Sequence, residues 1–176
     1  MRFAETPIPG MFEVMTDIHR DERGGFARLY CRDSFDAAGI AFEPVQDSLS
    51  LNRRRHTLRG LHFQSPPHAE AKLVRCLRGR VFDVAVDLRP GPGYGRWHAV
   101  TLDARRMSAA FLPAGLAHGF LTLTADAAVL YHIDRAHVPG KGRGLAWDDP
   151  DLAIAWPSPP ALMSAADRAW PRLRDL

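Results

Sequence analysis

The residues that could do the most chemistry lie in Leu58-Arg59-Gly60-Leu61-His62-Phe63-Gln64-Ser65-Pro66-Pro67, followed by Ala71-Lys72-Leu73-Val74-Arg75-Cys76. In a strand, alternate side chains share a face. That groups Arg59, Leu61 and Phe63 on one side and Gly60, His62 and Gln64 on the other. A glycine beside a histidine leaves room over the imidazole, which suits a pocket better than a packed core. Imidazole titrates near neutrality and can take a proton from a weak carbon acid. Lys72 stands among Ala71, Leu73 and Val74. A lysine in such a setting is either buried and paired or runs its stem along the surface to water. An ammonium aimed into a water-poor cavity would stabilise a developing oxyanion.

Asp83 lies in an otherwise apolar run and needs a partner, because an isolated buried charge is expensive. His118, after the Pro113-Ala114-Gly115 turn, is the expected partner. The pair is either structural or part of a pocket wall, and in both cases it sets the imidazole tautomer. Tyr131 follows the apolar run Ala127–Leu130 and reads locally as core packing with a tethered hydroxyl. His62, His68, Glu70 and His118 are the candidates for a metal site. Ligands on one strand face must be two residues apart, yet position 64 is Gln, and His68 and Glu70 follow Pro66-Pro67 on an expected loop. The residues therefore favour a metal-free site.

The elements that must position these groups are short. Val81 to Leu88 alternates cleanly, with Phe82, Val84, Val86 and Leu88 on one face and Val81, Asp83, Ala85 and Asp87 on the other. Further strands are expected at Met11–Met15, Gly25–Tyr30, Val45–Leu51, Leu58–Phe63, Lys72–Leu77, Trp97–Leu102, Ala109–Leu112, Gly119–Leu123, Ala128–Ile133 and Ala153–Trp156. Many short strands with turn residues between them point to a sandwich or barrel, and a double-sheet jelly roll fits best. Helices are expected at Ser34–Ala38, stopped by Gly39, and from Ser164, where Asp167 takes the third helical position of a near capping box.

Composition agrees. The chain has 176 residues, 46% hydrophobic and 24% charged, with 14 Gly and 14 Pro, as expected of one ordinary globular domain over residues 1–176. No run approaches the roughly 20 apolar residues of a membrane span, and the first residues lack a secretory apolar segment. A cytoplasmic protein is expected, its two cysteines, Cys31 and Cys76, reduced. The net charge is +3 and nearly all cations are Arg. The guanidinium fork suits phosphate oxygens. Arg53-Arg54-Arg55 has no interleaved aromatics and reads as a solvated turn, so no nucleic acid is expected.

Seven blocks together carry a resemblance: Asp21-Glu22-Arg23-Gly24-Gly25-Phe26, Val45-Gln46-Asp47, Leu58–Gln64, Lys72–Cys76, Gly79–Arg89, Pro113–Phe120 and Trp147-Asp148-Asp149-Pro150. In order and spacing the chain resembles the dTDP-4-dehydrorhamnose 3,5-epimerase family of nucleotide-sugar enzymes. The resemblance implies an all-β cupin-type jelly roll with a few short peripheral helices. It implies no metal, no redox cofactor, and a homodimer whose N-terminal strands reach across to the partner. Residue by residue, His62 resembles the general base, Asp167 the carboxylate that orients it, Tyr131 the acid on the opposite face of the sugar, and Lys72 the lysine near the substrate ketone. Arg59 and Gln46 match contacts to the nucleotide diphosphate, and Arg23 and Phe26 match residues donated by the neighbouring subunit. Asp83 and His118 match a polar pair lining the pocket, and Gln64 belongs to the same substrate-binding motif. The implied reaction is epimerisation at carbons 3 and 5 of an NDP-4-keto-6-deoxysugar.

The chain departs from the family pattern at Arg28, at Ser48 and over His132-Ile133-Asp134-Arg135-Ala136-His137. These positions bear on which nucleotide and sugar are used, and on whether one carbon or both are inverted. The other readings are a single-centre epimerase, a metal-dependent cupin oxygenase or isomerase, and a non-catalytic sugar-nucleotide binding module. Binding alone needs neither an acid nor a base, which weighs against the last.

Overall fold

The computed structural model describes residues 1–176. In chain order the strands are β1 (Arg2–Glu5), β2 (Phe12–Met15), β3 (Ile18–Asp21), β4 (Gly24–Ala27), β5 (Gln46–Asn52), β6 (Leu58–Gln64), β7 (Lys72–Arg78), β8 (Arg80–Asp87), β9 (Trp97–Asp103), β10 (Ala109–Leu112), β11 (Leu116–Thr122), β12 (Ala127–Ile133) and β13 (Gly142–Gly144). The helices are α1 (Arg32–Ala37) and α2 (Ala165–Arg168). One sheet runs β1-β2-β10-β7-β12-β5 and the other β13-β6-β11-β8-β9, while β3 and β4 form a separate hairpin. Every named strand pair is antiparallel. This is the expected jelly roll.

The two sheets pack face to face. Val74 and Cys76 of β7 and Val129 of β12 meet Val81 and Ala85 of β8, Val100 and Leu102 of β9, and Phe120 of β11 in one buried cluster. Each large side chain removed from water contributes about 1.5–3 kcal/mol. The alternation read in β8 holds: Val81, Asp83 and Ala85 face the other sheet, and Val84 and Val86 face outward. The outward faces are covered as well. Phe35 of α1, with Ile40 and Phe42, packs on Val14, Leu73, Ala109 and Phe111 outside the six-stranded sheet. Leu145 and Leu152 cover Leu61, Val84, Val86 and Ala117 outside the five-stranded sheet. Double coverage is why β10 and β11 are buried at every position and read as apolar runs.

Several expectations are corrected. Ala153–Trp156 is not a strand. Ile154 and Trp156 pack on the outer cluster from an irregular segment, and the Trp156 indole donates to Trp147 O at 2.8 Å. Packing of alternate side chains needs no ladder, so the two-residue pattern misled. The expected Gly25–Tyr30 strand ends at Ala27, where the chain leaves its hairpin. The unexpected strands β1, β3 and β13 span only three or four residues and are mostly exposed, so they carry little apolar alternation. The first helix starts at Arg32 rather than Ser34 and ends before Gly39, whose φ of +72° stops it. No helix is long and apolar enough to cross a membrane.

Candidate active site

One irregularity decides which side chains share the site. His62 pairs with His118, but Arg59 pairs with Phe120. Three steps along β6 therefore match two along β11, a bulge with one extra residue in β6. The bulge shifts the alternation, so Arg59 and His62 face the same cavity and Leu61 turns to the outer cluster. This corrects the grouping of Arg59 with Leu61. Gly60 also has a different reason. Its φ is +132°, and a Cβ there would lie 2.5 Å from Gly119 Cα. Glycine is required because β11 passes so closely, not to open space over the imidazole.

The cavity, about 370 Å³, lies between the two sheets. The six-stranded sheet supplies Gln46, Ser48 and Ser50 of β5, Lys72 of β7, and Tyr131 and Ile133 of β12. The five-stranded sheet supplies Arg59 and His62 of β6 and His118 of β11. Glu70 and His137 come from loops. Along β5, β12 and β7 the registers place Gln46, Ile133 and Lys72 in one cross-strand row and Ser48, Tyr131 and Val74 in the next.

His62 Nε2 lies 2.5 Å from Asp167 Oδ1. Ser164 caps α2 as expected, its Oγ accepting from Asp167 N at 3.0 Å. The Asp167 side chain does not return to close a capping box; it turns to the histidine, and Trp170 Nε1 also donates to it at 3.2 Å. Burial alone would raise this carboxyl, but the bonds from His62, Ser164 and Trp170 together hold it below its ordinary 3.8. A carboxylate can only accept, so His62 Nε2 donates to Asp167 and Nδ1 is the ring nitrogen left without a protein partner.

Tyr131 packs edge-on against His118, with centroids 5.8 Å apart. Burial first, and the Asp83 charge second, push its phenol well above the ordinary 10, with no hydrogen bond opposing the shift. The hydroxyl expected to be tethered instead faces the cavity. His118 Nε2 meets Asp83 Oδ2 at 2.8 Å. Asp83 is fully buried behind the imidazole and does not line the cavity, so only the histidine of that pair is part of the wall.

Lys72 is not a surface lysine. It is 8% exposed, and its Nζ lies 3.0 Å from Glu70 Oε1. Gln64 is buried behind Glu70 and donates to its Oε2 at 2.6 Å. It lies off the cavity wall, because the bulge and the loop after β6 place the glutamate in front of it. Arg59 Nε donates to Asn52 Oδ1 at 2.7 Å, at the cavity end away from Lys72. Gln46 Oε1 accepts from His137 N at 2.9 Å.

Arg23 and Phe26 do not reach this cavity. Arg23 is paired with Asp21 at the hairpin turn, and Phe26 is 72% exposed. His62, His68, Glu70 and His118 do not converge: no three His, Cys, Asp or Glu side chains are placed to hold one metal ion. Sequence reasoning missed Ser50 as a cavity residue and weighed Glu70 only as a metal ligand; of the His132–His137 stretch expected to bear on the substrate, Ile133 and His137 do line the cavity. The signal for β5 was present: Gln46, Ser48 and Ser50 alternate with Asp47, Leu49 and Leu51, a polar face pointing inward.

The family described as dTDP-4-dehydrorhamnose 3,5-epimerase matches residues 5–175. The dTDP-4-dehydrorhamnose 3,5-epimerase of Sinorhizobium fredii is 42% identical over 158 residues, covering 89% of this chain and 81% of the relative. A dTDP-4-dehydrorhamnose 3-epimerase of Streptomyces niveus is 38% identical over 170 residues, covering 96% and 82%. The crystal structure of the Legionella pneumophila dTDP-6-deoxy-D-glucose-3,5-epimerase in complex with dTDP-4-keto-L-rhamnose superposes with a TM-score of 0.93 at 35% identity, covering 98% of this chain and 93% of that one. A match over nearly the whole chain, on the same jelly roll, makes this chain a member of the dTDP-4-dehydrorhamnose 3,5-epimerase family.

Proposed function

We propose that the chain epimerises a dTDP-4-keto-6-deoxysugar at carbons 3 and 5. The observation that carries this is the His62–Asp167 pair on one cavity wall, with Tyr131 and Lys72 on the other. A ketone at carbon 4 acidifies the hydrogens on carbons 3 and 5. His62 Nδ1 takes one of them, and Asp167 stabilises the imidazolium that forms. The electron pair moves to the ketone oxygen, where the Lys72 ammonium stabilises the enolate. Tyr131 belongs to the opposite sheet from His62, so its hydroxyl can deliver a proton to the other face of the same carbon. That inverts the centre. Solvent then removes the proton from His62 and restores the one lost by Tyr131, so no net proton is consumed. His118, held by Asp83, completes the wall. Arg59 is assigned to the diphosphate; Gln46, the other family match for that group, lies instead in the cross-strand row of Lys72.

The hairpin β3–β4 supports the homodimer reading. It exposes Phe26 and Arg23 away from their own cavity, as donation to a partner's site would require. The chemistry is that of a cytoplasmic sugar-nucleotide pathway and calls for no metal or redox cofactor. Incubation with dTDP-4-keto-6-deoxyglucose in deuterated water, followed by NMR, tests the assignment. Label and inversion at both carbons are expected. Label at carbon 3 alone, even at long times, would make it a single-centre enzyme like the Streptomyces relative.

A further inference from the structure

The reaction above uses Lys72 but not the carboxylate beside it. We propose that Glu70 is a positioning residue that fixes the Lys72 ammonium at one point of the cavity wall; this rests on the assignment of Lys72 to the substrate ketone. The two side chains are nearly buried, 11% exposed for Glu70 and 10% for Lys72, with Nζ and Oε1 3.0 Å apart. The second oxygen is also engaged, accepting from buried Gln64 at 2.6 Å. The loop carrying Glu70 is clamped at the next residue. Ala71 N donates to Asp134 Oδ1 at 2.7 Å, and Asp134 N donates to Ala71 O at 3.2 Å. Gln64 closes the other side, its Oε1 accepting from Val138 N at 3.4 Å. The carboxylate therefore has one available position, set by β6, by the end of β12 and by its own loop.

Two effects of Glu70 on Lys72 oppose each other. Its negative charge draws back part of the field that the ammonium would place on an enolate, which works against catalysis. Its geometry removes the freedom of a four-carbon stem ending in a point charge. Reacting groups held within about 1 Å of the productive position gain up to ~100-fold in rate. The bond from Gln64 to the carboxylate, with the Asp134 clamp on the loop that carries it, favours the geometric effect. In this reading Glu70 and Gln64 act only through Lys72.

A double-mutant cycle tests this. Glu70→Ala should lower kcat about 10- to 100-fold, with KM and the affinity for dTDP alone close to wild type. Glu70→Gln, which keeps an acceptor oxygen in place, should recover most of the rate. In a Lys72→Ala background, Glu70→Ala should cost nothing more, because the group it positions is gone. Should Glu70→Ala fail to fold, Gln64→Met with and without Lys72→Ala poses the same question. Losses that add in the double variant would overturn the proposal, as would a wild-type kcat for Glu70→Ala. Wild-type exchange by Lys72→Ala would instead overturn the assignment of Lys72 to the ketone, and the role of Glu70 with it.

Discussion

Asp167 Oδ1 lies 2.5 Å from Nε2 of His62, although 105 residues separate the two in sequence. The C-terminal segment thus crosses the outside of the five-stranded sheet and returns one carboxylate to the cavity edge. Asp167→Asn should leave the fold intact and slow deuterium exchange at the sugar by about 100-fold or more, because an amide no longer stabilises the imidazolium that forms. His62→Ala should lose at least ~100-fold. NMR-detected exchange measures both, and a loss under about threefold for His62→Ala would remove it as the base.

The same pair has a pH signature. The folded Asp167 carboxyl sits below its ordinary 3.8. Its contribution to stability is therefore present above that value and is lost as pH falls through the folded value. Asp167→Asn should be less stable than wild type at neutral pH, with the gap narrowing below about pH 4. Thermal melts across that range check the sign.

Tyr131 is held protonated well above its ordinary 10, so the proposed acid stays loaded throughout the neutral range. Tyr131→Phe should reduce inversion more than exchange, since His62 can still remove and return a proton on one face. Equal loss of exchange and inversion would count against its role as the opposite-face donor. A raised phenol pKa also predicts that stability falls as pH rises above about 10. That fall should be smaller in Tyr131→Phe.

Gly60 holds the bulge. Gly60→Ala puts a methyl 2.5 Å from the Gly119 backbone at a φ of +132°. Neither the backbone contact nor the dihedral can relax without moving β6 from β11. A destabilisation of at least about 2 kcal/mol is expected in urea unfolding. A near-neutral result would mean that the bulge tolerates a side chain.

Mixing inactive chains tests the proposed dimer. Phe26→Glu chains would spoil the partner's site and His62→Ala chains their own. Mixed dimers should then regain activity at one of their two sites, about a quarter of wild-type sites after random exchange. No recovery on mixing, or an active monomer in sedimentation, would exclude the donated hairpin.

Much of the molecule was legible in the order of its residues. Alternation located most strands, Ser164 marked the start of α2, and the Arg59–Gln64 and Lys72 blocks carried the family resemblance. These are local properties, set by side-chain type and spacing. What the sequence could not show arises between strands. One extra residue in β6 puts Arg59 beside His62, and a bulge is defined only against the partner strand. Asp83 and Gln64 fall behind His118 and Glu70 because a neighbouring strand or loop stands in front of them. Ala153–Trp156 alternates without a ladder because its side chains pack on the outer face of the five-stranded sheet and its backbone pairs with no strand. Residue types determined the available chemistry, while long-range pairing decided which of those groups face one another across the cavity.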